Sequence, residues 1–261
     1  MVTIVGLIVG FGSIIAAMFL KHIPFGVMNN PAAIVVILVG TVATILNSFT
    51  GKELKNIGKL FGKLFASPKQ GAEKQIIDEM TNYAAIARKE GFLALEPKID
   101  EISDPFMKKG LKMIVDGSDG EYIQDLMFME IEKMSERHNL NASMFSSAGT
   151  YAPTLGVLGA VFGLIAAMTH IDDTGAMAEA IAAAFIATIL GIFTGYVLWN
   201  PFATKLRTMS KHEEAEKTLV VEGILSIQRG DPPIKIKEKL LSMLPPKLQE
   251  ELLKEDKGSV A

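Results

Sequence analysis

The chain has no cysteine, which excludes a disulfide framework, a thiolate metal site and a cysteine nucleophile, and leaves the compartment open on that evidence. Its four histidines, His22, His138, His170 and His212, are scattered, and none has a ligand partner at metal spacing. With 26 basic and 29 acidic residues the formal charge is −3, too small to point to nucleic acid or an acidic substrate. The glycines between Gly156 and Gly163 lack the Gly-Lys-Ser/Thr ending of a phosphate loop and lie in an apolar run. No basic stretch or cleavage site marks the first apolar run as a signal peptide, so it reads as retained. Charge itself is missing where the chain is most apolar. Before Lys52, and between Ala142 and Thr204, the charged residues are Lys21, Asp172, Asp173 and Glu179 alone. These absences predict no enzyme, no metal site and no cofactor.

What is present is a membrane composition: 49% hydrophobic residues and a mean hydropathy of +0.31. Residues 1–51 hold two uncharged runs, Val2 to Leu20 and Ile23 to Thr50, with Pro31 placed near a helix start. Residues 139–204 hold two more, and each run is long enough to cross a hydrocarbon core of roughly 30 Å. The charged residues fall into blocks at 52–138 and 205–261. Lys52, Lys55, Lys59, Lys63, Lys69 and Lys74 follow the second run, and Lys205, Arg207 and Lys211 follow the fourth. The turn between runs three and four carries aspartates and no cation, so the positive-inside rule puts both termini in the cytoplasm, with Lys21 alone against it.

The block 52–138 is too polar to span and too periodic to be disordered. Ile76, Ile77, Met80, Tyr83, Ala84 and Ala87 make one helical stripe, and Leu111, Ile114 and Val115 another. Tyr122, Leu126, Phe128, Met129, Ile131 and Met134 are read as a third. Asp104-Pro105 and the Asp116–Gly120 cluster read as turns. Paired prolines at 232–233 and 245–246 bracket an amphipathic segment, Ile234 to Leu244, and Asp256 to Ala261 read as loose. The fold class is all-α: a polytopic membrane protein with four transmembrane helices and a helical cytoplasmic domain.

The stretch from Gly149 to Pro201 organises the rest. Gly156, Gly159, Ala160, Gly163, Ala166 and Ala167 recur at helical spacing on run three, and Ala180, Ala183, Ala184, Ala187, Thr188, Gly191 and Gly195 on run four. Small residues three and four apart let helices approach closely in lipid, where packing takes over from the hydrophobic effect. Thr188 puts one hydroxyl mid-span on that face. Pro153 and Pro201 share one level and are expected to break their helices. On physical grounds alone they are equally ordinary membrane-helix kinks or a functional hinge.

Ala184-Phe185-x-Ala187-Thr188-Ile189-x-Gly191-x-Phe193, followed by seven residues and Pro201, resembles the signature of MotA/PomA/MotP-type flagellar motor stator subunits, most of all the proton-driven MotA. The order of two helices, a charged block, two helices and a charged tail is similar to that family end to end. The resemblance implies an inner-membrane, homo-oligomeric ring, a pentamer, around a dimer of a MotB-like single-span partner that carries the ion-binding carboxylate. It implies torque on a FliG-like rotor protein, and so a part in motility and chemotaxis. By the same resemblance Thr188 faces the ion pathway, Pro153 and Pro201 couple ion flow to movement, and Arg88 and Glu96 meet the rotor. Sodium-driven relatives carry a second hydroxyl at the position of Ala160, so a methyl group there favours the proton. Without the resemblance, the charges around Arg88 read as a solvated helix face.

Two alternatives belong to other classes. A secondary transporter predicts ionisable groups within broken spans, and neither is evident. An ExbB/TolQ-like energiser of an outer-membrane system shares the small-residue pair but has one span before its main cytoplasmic loop, where this chain has two. The lack of any carboxylate within the spans argues that no ion path is completed by this chain alone.

Overall fold

Every element among the described residues is helical, in keeping with the uncharged runs and apolar stripes that the sequence supplies. The computed structural model describes residues 2–66 and 71–258, with 255–258 described by backbone alone. Four helices are long and apolar enough to cross a membrane: α1 (Val2–Leu20), α2 (Phe25–Ser48), α8 (Gly120–Thr169) and α9 (Thr174–Gln228). Between α2 and α8 lie α3 (Gly51–Leu54), α4 (Ile57–Phe65), α5 (Ala72–Glu90), α6 (Glu96–Ile99) and α7 (Pro105–Val115). After α9 come α10 (Pro233–Ser242) and α11 (Pro246–Gly258). Residues 256–258, read from sequence as loose, continue α11, while 259–261 and Lys69 lie outside the described residues.

Helix boundaries follow local chemistry. Asn30 accepts from the Ala33 amide at 3.0 Å, ahead of Pro31, at the start of the α-helical part of α2. Asp104 accepts from the Phe106 amide at 2.8 Å ahead of α7. Asp173, in the turn between runs three and four, accepts from the amides of Gly175 and Ala176 at 2.9 and 3.0 Å and so caps α9. At α3 the Thr50 amide donates to the Glu53 carboxylate at 2.8 Å and the Thr50 hydroxyl does the same. That hydroxyl bond is the main cause holding the Glu53 carboxyl below its usual range. Gly91 ends α5 at φ +86° and ψ 167°, a backbone conformation in which a side chain is strained.

The chain divides into two compact units. One comprises the described residues of Met1–Ser67 and Arg137–Met209, the other those of Pro68–Glu136 and Ser210–Ala261. The first unit takes in α4, which buries Leu60 and Leu64 in one cluster with Phe145, Phe202 and Leu206. Rings of Phe61, Phe145 and Phe202 meet edge to face there, at 5.2 to 6.3 Å. The Lys205 ammonium donates to the Leu64 carbonyl at 2.6 Å and to the Thr3 hydroxyl, tying the ends of α1 and α4 to α9. The Thr3 hydroxyl in turn donates to the same Leu64 carbonyl at 3.3 Å, so that this carbonyl near the end of α4 has two side-chain donors.

In the second unit, α10 packs along α5. Met80, Leu111, Ile123, Met127 and Ile224 have no exposed surface. The α5 stripe lies wholly in this core. On α8, Ile123, Met127 and Ile131 belong to this core and Met134 is buried one turn on, whereas Tyr122 and Met129, assigned to the stripe from sequence, are each 55% exposed. Steps of four, four and three residues keep one helical face. The expected set mixed two faces.

The first unit is built on the contact of α8 with α9. A β-carbon added to Gly191 would lie 2.7 Å from the Gly156 Cα and 2.8 Å from the Ala152 carbonyl oxygen, both backbone atoms that cannot swing aside. At Gly12 an added β-carbon would meet nothing within 4 Å. Gly191→Ala is therefore expected to force the helices apart, at a cost on the order of 3 kcal/mol, and to lower the thermal unfolding midpoint of the purified protein. Gly12→Ala serves as the control and should leave the midpoint unchanged or slightly raised. Equal midpoints for both variants would show that the helices are not held at this distance.

Candidate functional site

The antiparallel α8–α9 pair forms a seam that can be followed step by step. Added β-carbons would bring Gly163 within 2.7 Å of Ala184 Cβ, Gly159 within 3.1 Å of Ala187 Cβ, and Gly156 within 2.9 Å of the Ala187 carbonyl oxygen. One turn further, Gly195 would meet the Pro153 ring at 2.7 Å and the Gly149 carbonyl oxygen at 2.8 Å. Gly156, Gly159, Gly163, Gly191 and Gly195 thus all face the partner helix. No side-chain oxygen or nitrogen occurs between Leu155 and Met168, and Thr188 is the one polar side chain between Ala180 and Phe193. Over these two stretches the seam is apolar apart from that hydroxyl.

Thr188 is half-buried, and its hydroxyl donates to the Ala184 carbonyl at 3.4 Å, the long limit for such a bond. Its oxygen keeps two lone pairs for a further partner. Ala160, also half-buried, follows Gly159, and Thr188 follows Ala187, the residue Gly159 touches. The two positions therefore share a level of the helix pair. At Ala160 the chain presents only a methyl group.

The two prolines do not break their helices. α8 runs without interruption through Pro153. The proline removes the amide that the Gly149 carbonyl would accept, and that carbonyl faces Gly195, as does the proline ring. The absent side chain of Gly195 leaves room for both. Pro201 is the second residue of the α-helical stretch Asn200–Gln228, where a missing donor is tolerated, and the preceding Thr194–Trp199 is a π-helix. The wider turn adjusts the ladder where the proline cannot take part. Within it the Thr194 hydroxyl donates to the Leu190 carbonyl at 2.8 Å.

Arg88 and Glu96 lie in the other unit. Arg88 is in the last turn of α5 and Glu96 opens α6; both are exposed, with Gly91 between them. Among the described residues neither makes an ion pair. Their charges are available to a partner.

Sequence reasoning missed Asn30 as a cross-link. While its oxygen caps α2, its amide donates to the Ala183 carbonyl at 3.0 Å, so one side chain ties the start of α2 to α9. The signal was an asparagine directly before Pro31, a common helix-entry pair. Its partner 153 residues away had no sequence signal.

Comparison with known proteins agrees with this geometry. The sequence model of the MotA/TolQ/ExbB proton channel family matches residues 98–218. The chain is similar to Motility protein A of Bacillus subtilis (strain 168), with 47% identity over 94% of this chain and 91% of the relative. Chemotaxis protein PomA of Vibrio alginolyticus is 32% identical over 88% of this chain and 90% of its own. A chain of the flagellar MotAB stator complex from Bacillus subtilis superposes with a TM-score of 0.90 at 46% identity, covering 95% of this chain and 98% of that one. One from C. jejuni MotAB gives 0.87 at 30% identity, over 94% and 95%.

Because its one internal bond is long, the Thr188 hydroxyl contributes little to stability. Thr188→Val keeps the shape, and the unfolding midpoint is expected to move by no more than the equivalent of about 0.5 kcal/mol. On the reading that Thr188 faces an ion path, flux through the chain reconstituted with a MotB-like partner should fall severalfold, and Thr188→Ser should retain most of it. A midpoint that falls together with flux would make Thr188 a packing residue.

Proposed function

This chain belongs to the motility protein A family, and we propose on that premise that it is a stator subunit of the bacterial flagellar motor. It lies in the inner membrane and, with a MotB-like partner, forms an ion channel that converts ion flow into torque. The observation that carries this reading is the α8–α9 seam itself, a close-packed pair that between Leu155 and Met168 and between Ala180 and Phe193 holds one hydroxyl and no ionisable group. Such a pair offers a surface for another helix to pack on and slide along. It offers no site where a proton or cation can rest, so the carboxylate comes from the partner's membrane helix.

The finer reading follows from the same premise. Several copies, five in number, ring a partner dimer, with both termini and both charged blocks in the cytoplasm, where the flanking lysines put them. Thr188 offers its lone pairs to a proton-carrying water or to the partner's carboxyl group. Pro153 and Pro201 mark the end of the pair where the partner's protonation becomes movement. Arg88 and Glu96 meet the FliG-like rotor, and as exposed charges they set register and encounter more than affinity.

The ion is the proton. A dehydrated sodium ion needs several oxygen ligands in place of its water, and at the shared level of Ala160 and Thr188 the chain supplies one side-chain oxygen. Swimming speed at fixed pH is expected to be flat across sodium concentrations and to collapse with a protonophore. Steep sodium dependence that survives the protonophore would falsify the proton assignment.

Charge reversal tests the rotor face. Arg88→Glu or Glu96→Lys should leave the chain in the membrane with its partner, yet slow motility several-fold, and an opposite reversal on the rotor should restore part of the speed. If no rotor charge change rescues either variant, the patch is only a solvated surface.

A further inference from the structure

Two cavities of the membrane unit lie against α4, and their chemistry is opposite. One, of about 580 Å³, is lined almost wholly by carbon; Leu38, Ile45, Phe61, Met144, Ala148 and Trp199 are among its walls. That volume is in the range of pockets that enclose a small ligand. The other, of about 350 Å³, is walled by Lys52, Lys59, Lys63 and Arg137 together with Asn56 and Asn141. Its one acid, Glu53, is turned onto the amide and hydroxyl of Thr50. Among the described residues no carboxylate comes within 4 Å of any of the four cations. All four side chains are exposed, so the groove is open to a ligand.

Helix geometry joins the two cavities. On α8, Arg137 and Asn141 line the cationic groove, and Met144 and Ala148 line the apolar one. Steps of four, three and four residues keep all four on one helical face. Arg137 is about 16 Å along the axis from Ala148. α4 and its approach repeat the division sideways: Asn56, Lys59 and Lys63 face the groove, while Leu54, Ile57 and Phe61 face the apolar cavity. A ligand lying along this face needs hydrocarbon at the membrane end and negative charge at the other.

We propose that this face binds one anionic phospholipid, with an acyl chain in the apolar cavity and the phosphate among Lys52, Lys59, Lys63 and Arg137. Juxtamembrane clusters of lysine and arginine attract anionic headgroups, and here the cluster is joined to a cavity that adds a place for the chain. A protein occupant filling the apolar cavity has no need of the four cations, and a free phosphate has no need of the cavity. The proposal rests on the membrane reading of the four helices, and on neither the ion assignment nor the rotor assignment. Bound there, the lipid fills the space between α2, α4 and α8 that the chain leaves open.

Trp199, the only tryptophan in the sequence, lines the apolar cavity and reports on its contents. The full chain, copurified with its partner, is reconstituted into phosphatidylcholine vesicles that contain a small fraction of chain-brominated phosphatidylglycerol or chain-brominated phosphatidylcholine. A Trp199→Phe sample measures the partner's own fluorescence for subtraction. Brominated phosphatidylglycerol is expected to quench Trp199 at a mole fraction roughly tenfold lower than brominated phosphatidylcholine, and the curve should saturate. In Lys59→Gln/Arg137→Gln the two curves should converge, while Lys59→Arg should keep them apart. Equal quenching by the two lipids in the unsubstituted protein overturns the proposal, as does the absence of quenching by either, the result if a second copy fills the cavity. A selective curve that the double substitution leaves unchanged also overturns it, by removing the assigned cations from the site. The comparison of two lipids on the unsubstituted protein needs no variant to fold.

Discussion

At Gly156 and Gly191 two helix backbones come so close that neither position has room for a single carbon. In lipid the helices gain nothing by hiding apolar surface from water, since the surrounding chains are equally apolar. What holds them is dispersion between closely fitted atoms, each contact small and the sum large. That demands small residues wherever the helices meet, and the demand propagates along the pair. It sets Gly195 against Pro153, brings Gly159 to Ala187, and so fixes the level at which the Thr188 hydroxyl lies. Pro153 illustrates the dependence. A proline inside a helix costs a hydrogen bond and crowds the carbonyl one turn back, yet α8 keeps its path because the facing helix has no side chain at Gly195.

The end of the membrane unit that carries the charged groups is organised by a second constraint, that polar atoms near hydrocarbon need partners. Lys205 meets it by reaching back to the Leu64 carbonyl and the Thr3 hydroxyl. Its long apolar stem makes such a reach compatible with the aromatic cluster around Phe202. Asn30 does the same service at the start of α2, where one amide side chain serves as both cap and cross-link. Polar side chains that reach across to another helix thus help fix how the helices meet.

Much of this was legible in the sequence because period and composition report directly on local structure. Val2–Leu20 is a helix with the bounds that its uncharged run implies, and the six-residue stripe of α5 is buried in full. The glycines of the seam stood out by spacing, since few other roles call for so many of them in apolar helices. What could not be read depended on partners distant in sequence. Tyr122 and Met129 were grouped with the core of α8 because apolar character alone does not say which of two adjacent faces is covered; the positions of α5, α7 and α9 decide it. The prolines were expected to break helices, which overlooks the space a facing glycine provides and the π-helical turn at Thr194–Trp199. The first unit takes in α4 because, for all its lysines, that helix buries Leu60 and Leu64.

The lack of ionisable groups along the seam is itself a physical specification. A carboxylate fixed there would hold an ion or stay protonated, and a charge at that depth costs at least ~3 kcal/mol. A seam of methyl groups, glycines and one hydroxyl is nearly uniform, so a partner helix gains about equally from packing on any of several adjacent positions. Uniformity of that kind lowers the barrier for any helix that slides along it, because no single contact is strong enough to hold that helix in place. The Thr188 hydroxyl breaks the uniformity at one level only, and weakly, since it already shares its proton with the Ala184 carbonyl. A chain built this way holds no charge of its own along the seam.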